Sequence, residues 1–469
     1  MKNKILTTLL FLSISLLLHA QIKIASVLGD NMVLQRNSEV KIWGTSGPKN
    51  NINVTVSWDK LKTTTVSNEK GEWLVKVKTT EAGGPYSITI SDSKQKVMLK
   101  NILLGEVWLC SGQSNMEMPM MGSISTPVNG SNEAILDADN NNIRLFTVKQ
   151  TTKTTPQDTC VGSWSVANSE SVSKFSAIGY FFARQIQQKL KVPVGMICSS
   201  SGGSRIEAWM SKDDLSKFPE PLQSSAHDTQ DNRKPSQLYN GMINPIKDYF
   251  IKGALWYQGE NNRENYQDYA ALMGGLVDCW RNAFGIGQFP FYFVQIAPYQ
   301  YDNSKDILSA KLWDQQLKAS LVIPNCGMVC TIDLGEEDDI HPAEKETISK
   351  RLSYWAISEA YGMKGIAYKN TYFKKAEVKD TLMIVSFENN AQGITSYGKE
   401  ITNFEIAGAD KVFYPAKAVF KISKVVRVSA PEVKKPVAVR YCYHNFPQGK
   451  GFLYNTAGLP IPPFRSDNW

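Results

Sequence analysis

The sequence predicts an α/β protein whose central parallel sheet is flanked by a β-rich region at each end. Three observations carry this. In the middle of the chain, "EVWLC", "IRLFTV", "VPVGMICSS", "GALWYQ", "FPFYFVQIAP" and "GMVCTIDLG" are near-continuous apolar runs, the pattern of strands buried on both faces. Helix-like segments lie between several of them, and strands alternating with helices build a parallel sheet. The two ends carry short alternating runs broken by Gly, Pro, Asn and Asp, as small β domains do.

Residues 1–20 read as a secretory signal peptide. Two lysines precede a short apolar run, and Leu18-His19-Ala20 offers a cleavage site before Gln21. The run is too short for a bilayer span of roughly 20 residues. A secreted or periplasmic location is therefore expected, with no membrane insertion after cleavage. Residues 21–103 are expected to form a small β domain from runs such as "VKIWGTS", "NVTVSW", "EWLVKVKT" and "YSITISD". Residues 104–365 hold the α/β unit, in which "SKFSAIGYFFARQIQQKL" places Phe175, Ile178, Phe182, Ile186 and Leu190 at helical spacing. Residues 366–469 return to β-type runs, "TLMIVSFE", "KAVFKIS" and "VAVRYCY" among them.

Composition narrows the function classes. The formal charge of +8 falls to +6 when Lys2 and Lys4 leave with the signal peptide. Basic and acidic residues alternate, so no nucleic-acid groove is indicated. The seven cysteines, Cys110, Cys160, Cys198, Cys279, Cys326, Cys330 and Cys442, contain no CxxC pair. Several sit in apolar runs, where a free buried thiol is the expected state. No HExxH or comparable ligand spacing appears, so no metal or organic cofactor is expected.

In open α/β sheets, ligands bind beyond the carboxyl ends of the strands. Four apolar runs end in polar clusters: Ser111-Gly112-Gln113-Ser114-Asn115, Gly202-Gly203-Ser204-Arg205, Gln258-Gly259-Glu260-Asn261-Asn262, and "EEDDIHP". A serine hydroxyl needs a positioned base to act as a nucleophile, and histidine is the usual one. Of four histidines, His19 leaves with the signal peptide, His227 lies in a polar loop and His444 in the C-terminal β region. His341 lies at a strand-to-helix junction of the α/β unit, with Pro342 at the expected first helical position, Glu344 and Glu346 in the first turn, and Gly362 as the stop. Ser114 and His341 are thus the candidate catalytic pair. Three groups compete to orient the imidazole: Asp338 by its D-x-x-H spacing, Asp339 by proximity in sequence, and a backbone carbonyl. Oxyanion donors are expected from the N–H of Ser114, the N–H of Gly203 and the amide of Gln258. Glu260 reads as a support for Gln258 or the Ser114 loop. Gln113, Asn115, Arg205 and Asn240 complete the candidates for support or substrate contact.

At these residues the sequence resembles a known group. "CSGQSNMEM", "GGSRIEAWMS", "LYNGMINPI", "ALWYQGENN" and "DIHPAEKETISKRL" together look like the sialate O-acetylesterase family of the SGNH (GDSL-like) hydrolase superfamily. "DNMVLQRNSEVKIWG" and "FLYNTAGLPIPPFRSD" extend the likeness over nearly the whole mature chain. The resemblance implies a three-layer α/β/α core with sandwich-like flanking regions. It implies a serine esterase that removes acetyl groups from sugars, with Ser114 as nucleophile and His341 as base. Gly203 and Gln258 match superfamily oxyanion positions, and the D-x-x-H aspartate falls on Asp338. An acetylated sugar is the expected partner: sialic acid first, a plant polysaccharide such as xylan or xyloglucan second. Two rivals remain at the level of residues: a glycosidase pairing Glu260 with Asp338, and a carbohydrate-binding protein using Trp58, Trp73 or Tyr414.

Overall fold

The computed structural model describes residues 21–223, 229–301, 306–421, 424–449 and 451–469. The signal-peptide reading and His227 lie outside the described residues.

The N-terminal region forms its strands where the alternation is clearest. Glu72–Lys78 buries every second residue and pairs with Glu39–Thr45, which pairs with Lys23–Ile24. A second group is built from Asn51–Val56, Lys62–Val66 and Gly83–Ser91. This group runs into the core without a break. The long strand β1 (Lys96–Gly112) pairs antiparallel with Gly83–Ser91 over its first half and enters the central sheet with its second. The seam expected near residue 103 therefore falls inside one strand.

The central sheet continues with β2 (Asn140–Thr147), β3 (Trp164–Ala167), β4 (Val194–Ser200), β5 (Gly253–Tyr257), β6 (Phe291–Val294) and β7 (Cys326–Val329), in the spatial order β3-β2-β4-β1-β5-β6-β7. Six of these strands are parallel; β3 joins the edge antiparallel, so the sheet is mixed. At its centre, β4, β5 and the second half of β1 (from Ile102 on) are buried throughout, which is why they read as unbroken apolar runs. Among the described residues the four longest helices are α1 (Ala177–Leu190), α2 (Tyr269–Phe284), α3 (Leu308–Val322) and α4 (Lys345–Trp355). Ser176 caps α1 by accepting the N–H of Gly179, and Ile178, Phe182 and Ile186 are buried on the core face.

The C-terminal region contains two four-stranded antiparallel groups, one built on Leu382–Glu388 and Val425–Ser429, the other on Phe404–Ala407 and Ala438–Tyr441. It docks on α3: Tyr443 donates to Asp314 at 2.6 Å, Arg465 pairs with the same carboxylate at 2.9 Å, and Asn445 accepts the Ser309 N–H. All seven cysteines are free thiols. Among the described residues no helix is long and apolar enough to cross a membrane, and no cluster of His, Cys, Asp and Glu has the makings of a metal site.

Candidate active site

The site forms where three parallel strands end at one level. Gly112 of β1 stands opposite Ser200 of β4 and Tyr257 of β5. The chain then turns sharply: Gln113 N–H donates to the Tyr257 carbonyl, and Ser201 N–H to that of Gly112. Gly112 is required here, because at φ 136° an added Cβ would lie 2.1 Å from the Tyr257 oxygen. The turn delivers Ser114 to the first position of a one-turn helix, Ser114–Glu117.

His341 approaches from the loop after β7. Its Nε2 lies 2.8 Å from Ser114 Oγ, across 227 residues of sequence. Asp339 Oδ1 accepts the backbone N–H of His341 at 2.8 Å and sits 3.4 Å from the ring Nδ1. Asp338 is exposed and has no contact with the ring among the described residues. The carboxylate beside the ring is therefore that of Asp339, the alternative orienter, and not that of Asp338: the loop bends at 337, 338, 340 and 341, so D-x-x-H spacing does not decide which side chain faces the imidazole. The helix also begins later than expected. It starts at Lys345, because Glu336 takes the Ala343 N–H and Asp339 that of His341, holding the intervening chain irregular. Burial pulls the imidazole below its ordinary pKa; the nearby Lys345 charge acts in the same direction and Asp339 against it. The ring is therefore biased toward its neutral, proton-accepting form.

The loop after β4 lies against the serine. An added Cβ on Gly202 would come within 3.5 Å of Ser114 Cβ. Gly202 N–H is taken by Glu117, whereas the N–H groups of Gly203 and Ser114 have no acceptor among the described residues. Gly203 is in the left-handed region at φ 70°, and an added Cβ there would lie 3.7 Å from the Asn261 amide nitrogen. Gln258 does not serve as expected. Its two amide N–H groups go to the Ser204 carbonyl at 3.0 Å and Asn262 Oδ1 at 2.8 Å, and its oxygen accepts from Tyr269. Both donors are spent within a buried lattice that also joins Asn262 to Glu207 and to the Ile206 N–H. The amide donors of Gln258 are thus committed to the scaffold, and the amides beside the Gly203 loop are those of Asn261 and Asn232, of which Asn232 already donates to the Gly202 carbonyl at 2.7 Å.

The supporting candidates separate cleanly. Gln113 is 3 % exposed and accepts the Gly259 N–H, pinning the serine turn to the end of β5. Asn115 is 1 % exposed and bridges Glu260 Oε1 at 2.8 Å and the Ile340 carbonyl at 3.1 Å. Arg205 lies in the loop beside Gly203, directly ahead of the short helix Ile206–Trp209, with its Nε buried. Asn240 is not at the site: its amide binds the Lys153 carbonyl, and it lines a cavity with Lys212 and Gln237 that includes neither Ser114 nor His341. Two neighbours were not singled out from the sequence. Glu117 holds the Gly202 N–H, and burial raises its carboxyl pKa. Lys345 is fully buried and donates to Asn115 Oδ1 at 2.6 Å.

A serine in hydrogen-bond contact with an imidazole, with a carboxylate behind the ring, at the carboxyl edge of a parallel sheet, is the constellation of a serine hydrolase. The relatives agree. Residues 104–353 match the family model for "Carbohydrate esterase, sialic acid-specific acetylesterase". The sialate O-acetylesterase of Homo sapiens is 30% identical, with 94% of this chain and 92% of that protein covered; that of Mus musculus is 28% identical, with 94% of each covered. A crystal structure of XAC1771, a carbohydrate acetylesterase from Xanthomonas citri, superimposes with a TM-score of 0.88 at 32% identity, covering 96% of this chain and 100% of that one. The chain belongs to the sialic acid-specific acetylesterase family of carbohydrate esterases.

Proposed function

We propose that the protein removes acetyl groups from sugar hydroxyls, with O-acetylated sialic acid as the principal substrate. The observation that carries this is the 2.8 Å contact between Ser114 Oγ and His341 Nε2, in a chain of this family. Ser114 Oγ attacks the acetyl carbonyl while its proton passes to His341 Nε2. The oxyanion faces the N–H groups of Ser114 and Gly203 and the Asn261 amide. Collapse breaks the bond to the sugar oxygen, which takes the proton from His341. Water, deprotonated by the same imidazole, then attacks the acetyl-serine; collapse breaks the bond to Ser114 Oγ, which takes its proton back from His341 as acetate leaves. Asp339 fixes the ring through both its backbone and its Nδ1. No step asks for a metal or organic cofactor. Arg205, beside the Gly203 loop, is assigned to the acidic end of the substrate.

The likeness to the Xanthomonas citri acetylesterase favours a second reading, in which the substrate is an acetylated polysaccharide such as xylan or xyloglucan. Acetate release from O-acetylated sialic acid and from acetylated xylan, measured side by side, separates the two. Faster release from the sialic acid supports the first; release from xylan alone overturns it. A non-catalytic sugar-binding role would leave both substrates intact.

The same reading covers architecture and location. The core is taken as the three-layer SGNH type spanning residues 104–365, with sandwich-like regions at 21–103 and 366–469. The chain is taken to be exported after cleavage behind Ala20; N-terminal sequencing of protein from the cell exterior or periplasm would then begin at Gln21.

A further inference from the structure

Behind the serine lies a buried polar chain that the reaction as described leaves unused. Lys345, the first residue of α4, is 0 % exposed. Its ammonium donates to Asn115 Oδ1 at 2.6 Å. The same amide donates to Glu260 Oε1 at 2.8 Å and to the Ile340 carbonyl at 3.1 Å. Asn115 follows Ser114 and Ile340 precedes His341. One side-chain amide therefore ties the strand end that carries the nucleophile to the loop that carries the base. An amide can flip, exchanging its oxygen and nitrogen. Here it cannot: its oxygen faces an ammonium, and its nitrogen faces a carboxylate and a carbonyl. The cation fixes which way round the tie is made.

A buried ammonium is costly unless paired. The charges facing Lys345 are Glu260 from the loop after β5, and Asp339 and Glu336 from the loop after β7. Burial outweighs them and pulls its pKa down to about 7. The charged groups that act on the His341 ring are Lys345 and Asp339, of opposite effect. The ring titrates below the ordinary histidine value, where Lys345 is still protonated, and there the cation resists protonation of the imidazole and keeps the base free.

We propose that Lys345 is a positioning residue of the esterase reaction: its buried ammonium locks the Asn115 amide between the Ser114 turn and the Ile340–His341 segment and holds His341 in its proton-accepting form. This rests on the acetylesterase reading above. The test is the pH profile of acetate release by the full chain, with 4-nitrophenyl acetate as probe, for wild type, Lys345→Met and the double variant Lys345→Met/Glu260→Gln. The double variant removes the carboxylate that the single change leaves buried without its cation, and so remains informative if Lys345→Met fails to fold. The expected result is kcat lowered by about 10- to 100-fold with KM within about twofold, and an acidic limb of kcat/KM moved upward by about one pH unit. An unshifted acidic limb, or a rise in KM with kcat unchanged, overturns the proposal. Ser114→Ala, run in parallel, keeps the two ideas apart: turnover in that variant defeats the esterase reading itself, whereas its inactivity beside an unshifted Lys345→Met profile defeats only the positioning role.

Discussion

In the proposed mechanism, Ser114 acts through an imidazole that must be neutral to accept a proton. Burial and the Lys345 charge lower the His341 pKa, so the base form persists to lower pH than for a free histidine. Activity is lost only as pH falls through that depressed value. The acidic limb of kcat/KM for wild type is accordingly expected below about 6.5, the ordinary histidine value; a limb at or above it would contradict the environment described for the ring. The two neighbouring aspartates make a sharper comparison. Asp339→Asn is expected to lower kcat by on the order of 10²-fold, the low end for a group acting through the general base, since its ring contact is long at 3.4 Å. Asp338→Asn, on an exposed side chain, is expected to stay within about twofold of wild type. Ser114 and His341 were legible from the sequence because so few histidines were available and because each followed an apolar run. The choice between Asp338 and Asp339 was not, since adjacent residues of an irregular loop point in different directions and no periodicity says which. Lys345 was hidden for another reason: a lysine between Glu344 and Glu346 at a helix start reads as solvated surface, and only the packing of α4 shows its ammonium buried against Asn115.

At the level of elements, the site is a property of how β1, β4 and β5 end. Their register brings Gly112, Ser200 and Tyr257 level, so the loops that follow meet without long excursions. Gly112→Ala would push a methyl to 2.1 Å from the Tyr257 carbonyl oxygen at a φ of 136°. The expected cost is about 2–4 kcal/mol in urea unfolding, together with loss of acetate release as Ser114 is displaced; a variant of unchanged stability would mean that the turn is not so constrained. The buried lattice of Gln258, Asn262 and Glu207 performs a related task, clamping the Gly203 loop to the end of β5. Strand positions were readable because burial on both faces leaves an apolar run. The role of Gln258 was not, because a polar residue at a strand end looks the same in sequence whether it faces substrate or core.

At the level of the whole molecule, the N-terminal β region and the catalytic core share a strand. The first half of Lys96–Gly112 pairs with Gly83–Ser91, and Val33–Gln35 pairs parallel with Leu103–Gly105. Glu106 adds a polar tie, accepting from Gln35 and Arg36 on one side and from Tyr361 on the other. A chain beginning at residue 104 would expose that strand's edge and the apolar residues packed against it. Such a chain is expected to aggregate or unfold, as read by circular dichroism and size-exclusion chromatography; a folded, active protein would show that the β region is dispensable. The composition shift near residue 103 was visible in the sequence, but a change of pattern does not reveal that one strand serves both sheets. Whether Ser114 carries the acetyl group through the reaction is tested most directly by acetate release from O-acetylated sialic acid by the Ser114→Ala protein. A folded variant slowed by about 10⁴-fold or more is expected; turnover at the wild-type rate would contradict the assignment of Ser114 as nucleophile.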